Sequence, residues 1–334
     1  MTPAKNRQIV VAEIPKGKLA PENFRLVESP LPAPADGEVL VRVRLISIDA
    51  ANRAWMQGVT YRDAVTAGQV MAGLAVAEVV DSKAPGIAAG DLVFADTGWQ
   101  EYAILPARKL GKVPKLEPMT HLISIYGIAG LTAYFGLLRI GDPRPGETVV
   151  VSAAAGSVGS IVGQIARIKG CRAVGIAGGK AKCDWLVQHL GFDAAVDYKA
   201  GALPKALKEA APNGIDVYFD NVGGGILEAC LFQMNNGGRI ACCGFISAYD
   251  VASPPAGPRG VPSVIVFKRL TMKGFILTDF YAERDKAIAE LASWLKAGNL
   301  KIEEDVIDGL ENAPRALIGL IAGENRGKRM VRVG

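Results

Sequence analysis

The chain is predicted to be an α/β protein of two domains, an all-β module followed by a parallel sheet doubly wound with helices. Three observations carry the prediction. At 334 residues, half of them hydrophobic, the chain exceeds what one apolar core usually supports and has the material for two. Its first hundred residues show short runs of period two, as in Val39, Val41, Val43 and Leu45 with Arg42 and Arg44 between them, the pattern of half-buried strands. From about Thr120 apolar helical stretches alternate with short apolar strands, which indicates a parallel sheet covered on both faces.

In the β module, turn clusters at Pro30 to Gly37, Pro85 to Gly90 and Thr97-Gly98 separate strands by short connections. In the second region a strand-then-helix unit repeats: Thr148 to Ser152 then Val158 to Lys169, Ala173 to Ile176 then Ala181 to Leu190, and Ala195 to Tyr198 then Leu203 to Ala210. It continues with Val217 to Asp220, Ile226 to Met234 and Arg239 to Cys243. Pro254, Pro255, Pro258 and Pro262 break the rhythm, so Phe245 to Ser263 is expected to be a long irregular loop. A strand over Leu270 to Leu277 and an amphipathic helix over Glu283 to Ala297 come next. The tail from Leu300 is expected to return to the β module through short strands at Val306 and Val331.

Apolar stretches are broken by Gly, Lys or Arg before the roughly 20 residues a membrane span needs, and the start lacks a charged-then-apolar signal pattern. A cytoplasmic protein with no membrane partner is expected. The net charge of +5 is spread without a basic run, which argues against a nucleic-acid partner. The five cysteines, Cys171, Cys183, Cys230, Cys242 and Cys243, are an odd number confined to the second half and are read as reduced.

Val149 to Gly159 reads Val-Val-Val-Ser-Ala-Ala-Ala-Gly-Ser-Val-Gly, a strand entering a G-x-G-x-x-G turn in which Ala154 stands for the first glycine. Gly156 lets backbone N–H groups at a helix start approach a pyrophosphate, and Gly159 lets the helix pack close to the strand. Alone such a turn is a weak signal, but here it joins a strand to a helix and opens a repeating unit. Cofactor choice follows from the end of the next strand. NAD enzymes usually place an acid there against the ribose 2′-OH, whereas Gly175 to Lys182 carries Lys180 and Lys182, with no carboxylate before Asp184. The two ammonium groups suit a 2′-phosphate and point to NADPH. Their other reading is a solvated helix start, although cations there oppose the helix dipole.

The runs Gly130 to Leu138, Ser152 to Gly170 and Asp220-Asn221-Val222-Gly223-Gly224, with the ending Gly323 to Lys328, resemble the medium-chain dehydrogenase/reductase superfamily. The subfamily they look like is that of leukotriene B4 12-hydroxydehydrogenase, also called prostaglandin or 2-alkenal reductase. The resemblance covers nearly the whole chain. It implies a GroES-like β domain of residues 1–125 completed by 298–334, a Rossmann NADPH-binding domain over 126–297, an active site in the cleft and a homodimer. Carried over position by position, it implies Gly156, Ser157, Val158 and Gly159 at the pyrophosphate and Lys182 and Tyr198 at the adenosine phosphate. On the nicotinamide side it implies Asn221, then Cys243, Gly244, Phe245, Ile246, Ser247, Ala248 and Tyr249, then Phe275, Ile276, Leu277 and Asn325. Most of these positions follow strand ends, where parallel sheets bind ligands. One departure concerns Asp49-Ala50-Ala51-Asn52-Arg53, which replaces the family's common Asp-Pro-Tyr-Met-Arg, so an aromatic wall of the substrate pocket is missing.

Many members of that superfamily bind zinc, which needs three or four Cys, His or carboxylate ligands. No Cys or His precedes His121, and Gly68 to Gly73 stands where the zinc relatives show Gly-His-Glu, so no metal site is expected. His121 and His189 are read as structural, and Cys242 and Cys243 as thiols packed in a strand. Without a Lewis acid an alcohol lacks activation, whereas an enal or enone is already electrophilic at Cβ. The expected reaction is therefore NADPH-dependent reduction of the C=C bond of an α,β-unsaturated aldehyde or ketone, by hydride delivery to Cβ. Tyr249 matches a tyrosine the family places near the substrate, and with a reference pKa near 10 it would be protonated and able to donate to the developing enolate. Other readings stay open: Tyr249 as a loop residue packed on prolines, the chain as an NADPH quinone oxidoreductase, or as a non-catalytic NADPH-binding regulatory protein.

Overall fold

The structure, a computed structural model, describes residues 5–58, 60–253 and 256–334. Pro254 and Pro255 of the expected loop lie outside the described residues. β1 (Lys5–Val11) and β2 (Phe24–Pro30) form an antiparallel hairpin. There follow β3 (Glu38–Ser47), α1 (Ala50–Ala54), β4 (Leu74–Ser82), β5 (Leu92–Asp96), β6 (Tyr102–Pro106) and β7 (Gly111–Val113). The next group is α2 (Ile128–Phe135), β8 (Thr148–Ser152), α3 (Ser157–Ile168), β9 (Arg172–Ala177), α4 (Lys180–Gln188), β10 (Ala194–Asp197) and α5 (Leu203–Ala210). The chain continues through β11 (Ile215–Asp220), α6 (Gly224–Gln233), β12 (Met234–Cys242), α7 (Ser263–Lys268), β13 (Thr271–Gly274) and α8 (Arg284–Lys296). It ends with β14 (Glu304–Asp308), α9 (Ala313–Ile321) and β15 (Lys328–Arg332).

Six strands form one sheet in the order β10-β9-β8-β11-β12-β13, every pair parallel. Order reverses between β8 and β11, the crevice where doubly wound sheets take ligands. Both faces are covered, and the strand sequences show why. In β8, Val149 and Val151 pack into one core with Phe135, Ile161 and Leu291, while Val150 packs into another with Ile176, Tyr218 and Leu231. All three valines are fully buried, each worth about 1.5–3 kcal/mol relative to exposure.

A seven-stranded sheet runs β14-β15-β3-β4-β5-β7 with β6 also paired to β3. The tail thus rejoins the β module as expected, through Met330 to Arg332 against Leu45 to Ser47. On the way it crosses the other half, where Gly327 bridges Gly156 and donates from its N–H to Ala155 O at 2.9 Å.

Three elements depart from the sequence reading. The stretch Leu270 to Leu277 keeps only Thr271–Gly274 as strand, because Phe275 turns its ring into the core against Phe219 and Phe280. The Pro-rich segment ends in α7, with Pro262 at its N-cap position. The helix α9 was not foreseen; Pro314 and Gly319 mask its pattern, while Ala313, Ala316 and Leu317 pack it onto the core containing Trp99 and Ile48. No helix among the described residues is long and apolar enough to cross a membrane.

Candidate active site

β8 ends at Ser152, and the chain turns through Ala153, at φ +49°, to Gly156, the N-cap of α3. A Cβ on Gly159 would lie 2.4 Å from Ala153 O, so only glycine lets the helix start this close to the strand. The first bond of the helix runs from Ser160 N–H to Gly156 O at 3.1 Å, and no side chain caps it. The N–H groups of Ser157, Val158 and Gly159 therefore lack intrahelical partners and sit at the positive end of a 12-residue helix. Such orphan donors fit a pyrophosphate.

Beyond β9 the two lysines separate. Lys180 is exposed and pairs with Asp184 at 2.6 Å, as a solvated helix start would. Lys182 turns inward, donating from Nζ to Gly323 O at 2.7 Å and Asn325 O at 2.6 Å. Burial lowers its pKa, and the nearby cations Lys199, Arg329 and Arg326 lower it further. A cluster of like charges around a half-buried ammonium is a place an anion would relieve. Tyr198 borders it, 3.0 Å from where a Cβ on Gly178 would stand, with Lys199 Nζ 5.9 Å from its ring centroid. Lys199 and Arg326 escaped the sequence reading, though Lys199 directly follows Tyr198 at the end of β10.

The opposite side of the crevice is organised by Asp220, a residue the sequence reading left without a role. Buried at the end of β11, its Oδ1 accepts from Tyr218 Oη at 2.8 Å, Val222 N and Gly223 N at 2.9 Å each, and Ser152 Oγ at 3.2 Å. Its carbonyl accepts from Cys243 N at 2.8 Å and Gly244 N at 3.1 Å. A buried donor left unmet costs about 1–3 kcal/mol, so so many converging donors leave the turn no easy alternative. Asn221 is locked alongside, its Nδ2 donating to Ser152 O at 2.8 Å. Ile246 N bonds Asn221 O at 3.3 Å and Ser247 N bonds Val222 O at 3.1 Å, so Cys243 to Tyr249 forms one strap over the ends of β8 and β11.

Tyr249 closes that strap. Its side chain is 8% exposed and stands edge-on to Phe245, with ring centroids 4.8 Å apart. Burial pushes its hydroxyl up to about 12; a backbone hydrogen bond at Phe245 opposes this, while Cys243 and Tyr61 add to the rise. Tyr61, in the β module, is 61% exposed. It is braced by Trp55, whose Nε1 donates to Tyr61 Oη at 3.2 Å.

Other expected positions differ in what they present. Phe275 packs its ring where a Cβ on Gly136 would approach 2.3 Å, beside Phe219 and Phe280. Asn325 is buried beside the phosphate turn, its carbonyl on Lys182 and its Nδ2 on Gly327 O at 2.9 Å. Burial pushes Cys242 up to about 11 and Cys243 up to about 12, so both are thiols at neutral pH. His121 packs edge-on against Tyr126. Among the described residues no three His, Cys, Asp or Glu side chains converge as a metal site requires.

Residues 7–113 match the family described as the N-terminal domain of oxidoreductase, and residues 157–294 the family described as zinc-binding dehydrogenase. The chain is similar to the putative NADP-dependent oxidoreductase YfmJ of Bacillus subtilis (strain 168), 45% identical over 99% of this chain and 98% of that protein. It belongs to the medium-chain dehydrogenase/reductase superfamily. Within that superfamily it is also similar to the NADPH-dependent curcumin reductase of Escherichia coli (strain K12), 41% identical over 98% of this chain and 97% of the relative. A tobacco (Nicotiana tabacum) relative, 2-alkenal reductase (NADP(+)-dependent), is 39% identical over 98% and 97%. Among solved structures, CurA from Vibrio vulnificus in complex with NADPH superposes with a TM-score of 0.93 at 41% identity, covering 98% of this chain and 99% of that one. The GroES-like and Rossmann parts expected of this superfamily correspond to the seven-stranded and six-stranded sheets.

Proposed function

We infer that this reductase uses NADPH to reduce the C=C bond of α,β-unsaturated aldehydes and ketones without a metal. The observation that carries the reading is a phosphate turn with orphan donors and a basic ribose edge on the same sheet end as a buried, protonated tyrosine. The substrates named for its relatives, curcumin and 2-alkenals, support the class. When bound, NADPH supplies the hydride. The chain's own residues do the rest. Ser157, Val158 and Gly159 receive the pyrophosphate, and Lys182, Lys199 and Arg326 with Tyr198 receive the 2′-phosphate. The Asp220 turn holds the strap in place. As hydride reaches Cβ, charge builds on the carbonyl oxygen and Tyr249 donates a hydrogen bond to it, and the resulting enolate takes its proton at Cα from solvent. The metal-free reading is supported by the donor set, since no Cys or His precedes His121.

A screen of NADPH oxidation with enals, enones, quinones and saturated aldehydes tests the reading. Enals or enones should be turned over fastest and saturated aldehydes not at all. A quinone outrunning every enone would make the chain a quinone reductase, and binding of NADPH with no oxidation would make it a regulatory protein.

The same reading places residues 1–125 with 298–334 in the substrate domain and 126–297 in the nucleotide domain, supported by β14 and β15 joining β3. It also proposes a cytoplasmic homodimer that handles small molecules rather than nucleic acid or membrane. Its support is β13, an edge strand with all four residues exposed, beside Phe232 and Phe267, which are 54% and 74% exposed. Open edges with apolar neighbours pair readily with a second chain. Sedimentation at the mass of one chain would refute the dimer.

A further inference from the structure

Tyr249 hangs between anchors from both halves of the molecule. Towards the nucleotide sheet, Ser247 bonds Val222 O through its N–H at 3.1 Å and its Oγ at 2.6 Å. Towards the β module, Gln57 Nε2 donates to Ala248 O at 3.2 Å, and Asp250 is held twice, by Leu19 N at 2.6 Å and by Arg53 Nε at 3.2 Å, both on Oδ1. Arg53, at the end of the stretch where this chain departs from the family pattern, is only 1% exposed. Its Nη2 donates to Gly17 O at 2.8 Å, and its buried Nη1 has no partner among the described residues.

We propose that Arg53 and Asp250 form a clasp across the cleft that positions Tyr249, an inference that rests on Tyr249 being the hydrogen-bond donor. A buried guanidinium cannot be left uncompensated, and Asp250 is the carboxylate bonded to it, so the ion pair confines that carboxylate. Adjacent Cα atoms are about 3.8 Å apart, so fixing Asp250 fixes where the Tyr249 backbone stands. An exposed pair would do this weakly, because solvent screens it and side-chain entropy opposes it. Arg53 and Asp250 touch no reacting atom; they are positioning residues.

The test is a double-mutant cycle with Asp250→Asn, which keeps the shape and the acceptor for Leu19 N but removes the charge. Turnover on a good enal should fall about 10-fold in Asp250→Asn, yet less than about 2-fold when the same change is made in Tyr249→Phe, since contacts acting through one group are non-additive. In the protein without cofactor, amide exchange at Ala248 and Tyr249 should accelerate about 10-fold while the dissociation constant for NADPH stays near wild type; the melting temperature falls because the buried guanidinium loses its partner charge, so rates are compared on the folded protein. Wild-type turnover in Asp250→Asn, or equal losses in both backgrounds, would overturn the clasp and leave the donor reading standing. Wild-type turnover in Tyr249→Phe would overturn both.

Discussion

Replacing Tyr249 by Phe is expected to lower turnover on an enal by about 10- to 100-fold while NADPH affinity stays within about 2-fold, the lower range for a lost proton or hydrogen-bond donor. The ring can remain where it is, 8% exposed and edge-on to Phe245, so Phe removes the hydroxyl and little packing. The sign of the pH dependence follows from burial. Tyr249 donates only when protonated, and with its pKa pushed up to about 12 the donating form prevails through neutral and moderately alkaline pH, being lost only as pH rises towards that value. Turnover should therefore show no alkaline limb from this residue below about pH 10. Steady-state rates of the variant and the wild-type pH profile check both statements. An unchanged rate on a good enal would remove Tyr249 from the role assigned to it, and a wild-type alkaline limb near pH 9 absent from the variant would keep the role but overturn the raised pKa.

Lys182→Ala should raise the dissociation constant for NADPH by about 10- to 100-fold and that for NADH by much less, consistent with a lost hydrogen bond to a charged group worth about 1.5–3 kcal/mol. Two of the three ammonium donors are already on Gly323 O and Asn325 O, so the variant also loosens the tail. That loosening weakens both cofactors alike, and the ratio of the two constants isolates the phosphate. Fluorescence titration with each cofactor measures it. Equal weakening would show that Lys182 ties down the tail without reading the ribose.

The fold was legible wherever a periodic apolar pattern met a glycine in the right place. Thr148 to Ser152 and Leu203 to Ala210 come out with the expected bounds, because a strand buried on both faces and an amphipathic helix leave local signatures. Lys180 and Lys182 could not be told apart, since residues two apart on a helix point to opposite sides and sequence does not say which side faces the crevice. Asp220 carried no signal either, because its role depends on strands β8, β11 and β12 ending at one level.

By itself the sequence determined the two-part architecture and the NADPH cofactor, both of which follow from the chemistry of neighbouring residues. The tertiary structure alone decided which lysine turns inward, that Phe275 serves the core, and that Arg53 and Asp250 meet across the cleft. The reason is physical: backbone conformation answers to nearby residues, whereas the facing and pairing of a side chain answer to segments brought beside it from far along the chain.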